Sequence, residues 1–217
     1  QRNFGNAYHV ANSNWKTIHY PIHRSILKSG ENIPEQSSNE DVYYNRSVNY
    51  KSHTKGLRDF HNLYVKSNLI KAVSHKGTNL IDYSVGKAGD LSKWLYSGVS
   101  FVYGIDVSRD NIHNNVDGAC ARYIHKHRKS RNLFGAIFNV GNTSLNIMDG
   151  SAFANEKEKL VNEAIFGKSS KINLGKGIAN HYGVGSNGFD VGSCQFSLHY
   201  FFETKKTLHS FIRNLSE

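Results

Sequence analysis

The sequence predicts an α/β fold, a mostly parallel sheet with helices on both faces. From Leu57 onward, short apolar runs alternate with segments of helical spacing, and strands that alternate with helices build parallel sheets. The runs Phe101 to Ile105 and Phe134 to Val140 show no polar alternation, as expected of strands covered on both faces. The first candidate strand runs into a glycine turn, and the carboxyl ends of such strands are where α/β sheets bind ligands.

Residues 1–56 are polar, rich in Asn, Ser, Tyr and His, and hold both prolines, Pro21 and Pro34. They read as an arm or linker, with a short helical piece at Ile22 to Lys28 closed by Gly30. Leu57, Phe60, Tyr64, Leu69, Ile70 and Val73 recur at helical spacing, and Gly77 ends that helix. Asn79 to Ser84 reads as a strand, Val85 to Asp90 as a glycine turn, and Leu91, Trp94 and Leu95 as one helix face. Phe101 to Ile105 is the second strand. Ser108 is positioned to cap a helix carrying Ile112, Val116, Ala119, Cys120 and Tyr123. Phe134 to Val140 is the third strand, Glu156 to Phe166 a helix, Lys168 to Gly188 a glycine-rich loop and Phe189 to Cys194 the fourth strand. Leu208, Phe211, Ile212 and Leu215 mark a last helix, with Thr204 as its cap. Residues 57–217 therefore form the folded domain.

The chain has 217 residues, a net charge of +10 and two cysteines. That length can bury a core without covalent staples, and two cysteines cannot make a disulfide framework, so a reducing compartment is expected. No apolar run approaches the roughly 20 residues that span a bilayer, and no signal peptide opens the chain. The chain starts at Gln1 without an initiator Met and stops after the helix near Leu215, so it reads as a piece of something longer. The positive charge favours a polyanionic partner, nucleic acid first. The only close histidine pair, His125-x-His127, reads as solvated, and no metal site is expected.

Two constellations carry chemistry. In the first, Gly86 and Gly89 allow a sharp turn and close ligand approach. Asp106 follows Gly86 by twenty residues at the tip of the second strand, where a carboxylate accepts both ribose hydroxyls. A dinucleotide site would have Gly at position 84, which is Ser, and no acid where Asp90 faces a pyrophosphate. The loop thus favours a nucleoside without phosphate, and S-adenosylmethionine fits. In the second constellation, Gln195, His199 and Tyr200 follow the fourth strand, and an imidazole and an aromatic ring can stack on and bond to a flat base. A helix start packed by aromatics is the alternative there.

Phe189-Asp190-Val191, Ser193-Cys194-Gln195-Phe196, His199-Tyr200 and Phe202-Glu203 together resemble the mRNA cap guanine-N7 methyltransferases. So do the loop Asp82 to Trp94, the helix with Asn62 and Lys66, and Tyr43-Tyr44-Asn45-Arg46. The likeness extends to the methyltransferase part of the multidomain capping enzymes of large nucleocytoplasmic DNA viruses, and covers roughly residues 40–217. It implies a Rossmann-like class I S-adenosylmethionine-dependent methyltransferase whose C-terminal strands are absent from this chain. It implies cofactor contacts from Lys66, Ser84, Gly86, Asp106, Asn142 and Gln195, and a cap-guanine pocket from His199, Tyr200 and Glu203. Ser84 in place of Gly, and Asn142 in place of an acid, point to weaker cofactor binding. Further expectations are capped mRNA as partner, triphosphatase and guanylyltransferase domains in the same polypeptide, a possible partner subunit, no membrane and a cytoplasmic site of action. The run His125 to Arg131 follows the second crossover helix, and its Lys126, Arg128, Lys129 and Arg131 are candidate RNA contacts. Guanine N7 needs no proton removed before it attacks a methyl group, so no general base is expected and His199 and Tyr200 act by positioning. A methyltransferase for another RNA substrate and a non-catalytic RNA-binding module remain open alternatives.

Overall fold

The computed structural model describes residues 55–130, 133–170 and 174–216, together with Trp15, Ile18 and His19. The helical piece at 22–28, the 43–46 element and Arg131 lie outside the described residues. The chain divides into two compact units, Gln1–Lys51 and Ser52–Glu217. In the first, the Trp15 and His19 rings stack at 4.0 Å.

The second unit opens with helix α1 (Lys55–Asp59), a π-helical turn (Phe60–Val65) and helix α2 (Lys66–Val73). Then come β1 (Asn79–Asp82), α3 (Leu91–Tyr96), β2 (Phe101–Asp106), α4 (Arg109–His113), α5 (Ala119–Lys129) and β3 (Gly135–Val140). The chain closes with α6 (Glu156–Ile165), α7 (Lys176–Ala179), β4 (Val191–Ser193), a 3-10 turn (Leu198–Phe202) and α8 (Lys205–Ser216). All pairings are parallel, in the order β3-β2-β1-β4. The first three strands step outward and the fourth returns to the other side of β1. That reversal places a crevice at the carboxyl ends of β1 and its neighbours.

The two sheet faces carry separate cores because successive strand residues point to opposite sides. Leu80, Val102 and Phe138 pack with Ile70, Leu91, Trp94, Ile112 and Ala119 from the helices of one face. Ile81, Tyr103, Ile105 and Ile137 pack with Ile165, Phe166, Phe201 and Phe211 on the other. Among the described residues, β4 pairs only with β1.

Several boundaries differ from expectation for local reasons. Strand β1 stops at Asp82 because its own carboxylate captures the Ser84 N–H at 3.0 Å and turns the chain. Strand β4 is shorter than expected at its start, where the Asp190 carboxylate, rather than a backbone carbonyl, accepts from Asn79 N at 2.8 Å. The helix expected through Ile112, Val116 and Tyr123 is two, α4 and α5. Asn114 Oδ1 accepts from Val116 N at 2.9 Å, which bends the chain and leaves Val116 89% exposed. Of the basic run, His125 to Lys129 lies inside the last turns of α5 rather than after it. The loop 168–188 contains the short helix α7. The two expected caps form: Ser108 accepts from Asn111 N, and Thr204 Oγ1 accepts from Thr207 N at 3.1 Å.

Gly118 holds the turn between α4 and α5. A Cβ there would sit 2.6 Å from Asn114 N and 2.9 Å from the Ile112 carbonyl oxygen, both backbone. Gly118→Ala is therefore expected to destabilise the domain by roughly 1–3 kcal/mol through overpacking. Urea denaturation of the two proteins checks it; an unchanged midpoint would show that the turn yields freely.

Candidate functional site

The crevice is built from three loops that leave the carboxyl ends of β1, β2 and β4. After β1 the chain turns through Gly86, with φ +54, and Gly89. The Gly86 N–H donates to Asp106 Oδ2 at 2.8 Å. The other Asp106 oxygen accepts from Ser108 N at 2.9 Å and from Asn111 Nδ2 at 3.0 Å. The carboxylate is thus fixed at the strand tip, and with about four lone-pair sites it keeps acceptor capacity for a ligand. Apart from its chain neighbours, nothing lies within 4 Å of where a Gly86 Cβ would stand, so a ligand can lie against this backbone.

Ser84, which replaces the first glycine of a dinucleotide loop, has a structural role. Its hydroxyl hydrogen-bonds with the Ser197 hydroxyl, tying the glycine turn to the loop after β4. Ser197 also lies 3.2 Å from the Cys194 sulfur. Below them Asp82 is 2% exposed. It accepts from Ser84 N and, at 3.0 Å, from the Ser193 hydroxyl. Burial pushes its carboxyl up to about 7, against the pull of those two hydrogen bonds and with a smaller push from Asp90.

Asp90 is the charge centre of the crevice. Lys66 Nζ lies 3.0 Å from its Oδ2 and Lys93 Nζ 2.8 Å from its Oδ1. Lys93 also donates to Asn62 Oδ1 at 3.1 Å, which fastens the π turn. Lys66 Nζ stands 5.2 Å from the Phe196 ring centroid, a cation–π contact. Lys87, in the glycine turn, pairs with Asp117 at 2.8 Å and Asp110 at 3.1 Å. The Asp117 and Asp110 carboxylates raise its ammonium above the ordinary lysine range.

The fourth-strand loop leads to Phe196, a non-glycine residue at φ +62, a strained backbone of the kind that clusters at ligand sites. Gln195 is half-buried beside it. His199 and Tyr200 follow on the 3-10 turn, their rings 4.1 Å apart and exposed, and Glu203 ends that turn, exposed. Asn142 is exposed after β3, with its Oδ1 accepting from Ser144 N at 2.9 Å.

The structure joins Gly86 to Asp106 directly and brings Lys66 into the same crevice through Asp90. It sets Ser84 against the loop that bears Gln195. Lys126, Arg128 and Lys129 stand apart. Helix α5 runs back toward the amino end of β3, so Arg128 and Lys129 in its last turn face the opposite end of the sheet from Asp106. Lys126 reaches α3, 3.3 Å from the Ser92 hydroxyl.

Sequence reasoning used Asp90 only to exclude a pyrophosphate and gave no individual role to Asp82, Ser197 or Phe196. Asp90 carried a readable signal, its i,i+3 spacing to Lys93. Its pairing with Lys66 spans 24 residues and had none.

A glycine turn bonded to a carboxylate at the next strand tip, at the switch point of a parallel sheet, defines a Rossmann-like class I unit. The mRNA (guanine-N(7))-methyltransferase domain family matches residues 34–217, and the chain belongs to that family. A "Probable mRNA-capping enzyme" of Acanthamoeba polyphaga mimivirus is 28% identical over 99% of this chain and 18% of its own length. An "mRNA cap guanine-N(7) methyltransferase" of Meyerozyma guilliermondii is 27% identical over 96% of this chain and 36% of its own length. The protein of that name in Candida glabrata is 29% identical over 86% and 36%. The chain thus spans between about a fifth and about a third of these relatives.

The raised Asp82 carboxyl makes stability depend on pH. Its folded value of about 7 lies above the ordinary 3.8, so its contribution is full below about pH 4 and is lost as pH rises through 7. Asp82→Asn keeps an acceptor for Ser84 N and cannot ionise. Its urea midpoint is expected to hold between pH 5 and 8 while that of the wild type falls; parallel curves would remove Asp82 as the cause.

Proposed function

We propose that this unit binds S-adenosylmethionine in the crevice and transfers its methyl group to N7 of the guanine cap of mRNA. The observation that carries the reading is the convergence of Asp106, the open Gly86 backbone and the Lys66–Asp90 pair at one strand switch point. Asp106 would accept the ribose hydroxyls. Lys66 would face the carboxylate of the methionine part, held in place by Asp90. Asn142 would meet the adenine edge with its amide, and Ser84 and Gln195 would line the methionine side. The residues fit the group: a spare carboxylate acceptor, a glycine backbone with open space, and a half-buried cation braced by Asp90.

The cofactor supplies an electrophilic methyl on a sulfonium. The chain's own residues orient the acceptor. His199 and Tyr200 present two adjacent rings on which guanine can stack, and Glu203 can accept from its N1–H and exocyclic amine. No residue needs to take a proton, because the N7 lone pair is free, so positioning would carry the rate; orientation can supply up to about 7–11 kcal/mol. Lys126, Arg128, Lys129 and Arg131 would contact RNA phosphates beyond the cap, and the net charge of +10 suits that partner. Triphosphatase and guanylyltransferase domains of one polypeptide, or a partner subunit, would complete the capping pathway in a reducing cytoplasm. Residues 57–217 would form the methyltransferase unit and 1–56 an arm.

Equilibrium dialysis with S-adenosylmethionine, followed by methyl transfer to guanosine-capped and uncapped RNA, tests the reading. Binding with transfer only to capped RNA is expected. Transfer to uncapped RNA would point to another substrate, and RNA binding without cofactor binding to a non-catalytic module. Asp106→Asn is expected to weaken cofactor affinity about 10-fold or more, since hydrogen bonds to a charged group contribute about 1.5–3 kcal/mol. Unchanged affinity would remove Asp106 from the site. His199→Ala should slow transfer with no change in the shape of the pH–rate profile; loss of a single ionisation would make His199 a base instead.

A further inference from the structure

Helices α1 and α2 and the π turn between them leave an unusual face uncovered. Phe60 is 52% exposed, Leu63 65% and Tyr64 62%. The Phe60 and Tyr64 rings stack on each other at 5.5 Å and 19°. The row continues inward: Phe60 meets His61 edge-on at 5.7 Å, and His61 meets Phe196 edge-on at 5.7 Å. Phe196 opens the loop that carries His199 and Tyr200. The inner face of the same turn is tied down, since Asn62 accepts from Lys93 and Lys66 pairs with Asp90. The rings therefore stand on a fixed support. Arg58 and Lys71 are exposed on the flanking helices, and Asp59 is the sole acid between Lys55 and Val73.

We infer that Phe60 and Tyr64 form a stacking platform for single-stranded RNA, receiving the bases that follow the cap. This rests on the reading of the crevice as a cap methyltransferase site. Flat rings flanked by cations are how proteins hold single strands without reading sequence, because every base has a π face and every phosphate a charge. Leu57, Leu69 and Val73 are exposed on the same segment, so a protein contact is the competing occupant, and the stacked ring pair in line with Phe196 is what favours a base. The row of rings ends at Phe196, three residues ahead of His199, so a strand whose cap lies at His199 and Tyr200 would leave the pocket toward it. The Lys126 to Lys129 cations lie on α5, so the two features would grip different stretches of one RNA.

The test uses the full chain and a capped 12-nucleotide RNA labelled at its 3′ end, read by fluorescence anisotropy. The double variant Phe60→Leu with Tyr64→Leu keeps apolar bulk on exposed positions and removes the π faces. It is expected to lose at least about five-fold in RNA affinity, the lower end of one stacked base. Its far-UV circular dichroism and its affinity for S-adenosylmethionine should match the wild type. Arg58→Glu should weaken binding and flatten its salt dependence. Wild-type RNA affinity in the double variant, with its fold intact, overturns the platform. A changed sedimentation coefficient with unchanged RNA affinity also overturns it and assigns the face to a protein contact. Failure of the function reading looks different: the platform variant loses RNA affinity while the wild type transfers no methyl group to any RNA.

Discussion

The Asp90 carboxylate is the interaction on which the crevice depends. It lies at the start of α3 and holds two ammonium groups, Lys66 from the leading helix and Lys93 from its own. All three side chains are largely withdrawn from water, so the attraction is screened less than at a surface. Removing the acid would strand the buried Lys93 and the half-buried Lys66, the situation in which a buried ion pair is costly to break. Through Lys93 and Asn62 the same acid also sets the π turn. One charge therefore joins the leading helix, the glycine turn and the support beneath the exposed rings.

A second constraint is hydrogen bonding across the loops. Gly86 N–H to Asp106 closes the turn against β2, and the Ser84–Ser197 bond closes it against the loop after β4. A hydroxyl at position 84 thus links loops that a glycine could not join. The family to which the chain belongs is recognised by its match over residues 34–217. What is particular to this chain is how its side chains brace those loops.

The sheet, its strand positions and both helix caps were legible because they rest on local patterns: uninterrupted apolar runs, and Ser108 and Thr204 placed ahead of helices. The break at 114–118 was not, since it depends on the Asn114 side chain capturing backbone amides ahead of it. The shortened strands were hidden for the same reason, because Asp82 and Asp190 substitute carboxylates for backbone partners. At the site, Asp106 could be placed from its distance to Gly86. The Lys66–Asp90 and Ser84–Ser197 contacts could not, because they join residues 24 and 113 positions apart. The apolar spacing of the leading helix was legible as a helix, but Leu57, Phe60, Leu63, Tyr64, Leu69 and Val73 are exposed, which spacing alone does not reveal.

Helix α8 contributes Asn214, which is buried and fully engaged. Its Oδ1 accepts from Ile147 N at 2.9 Å, its Nδ2 donates to the carbonyls of Thr143 and Leu145, and its own carbonyl accepts from the Tyr83 hydroxyl. The loop beginning at Asn142 is thus coupled to the last helix, as it is to the turn after β1 through the Thr143 hydroxyl on the Tyr83 carbonyl and to α6 through Asn162 on the Ile147 carbonyl. Bonds shared in this way raise the protection of its amides from solvent exchange. Order in the loop after β3 is set in part from 71 positions away along the chain, by the side chain of one asparagine.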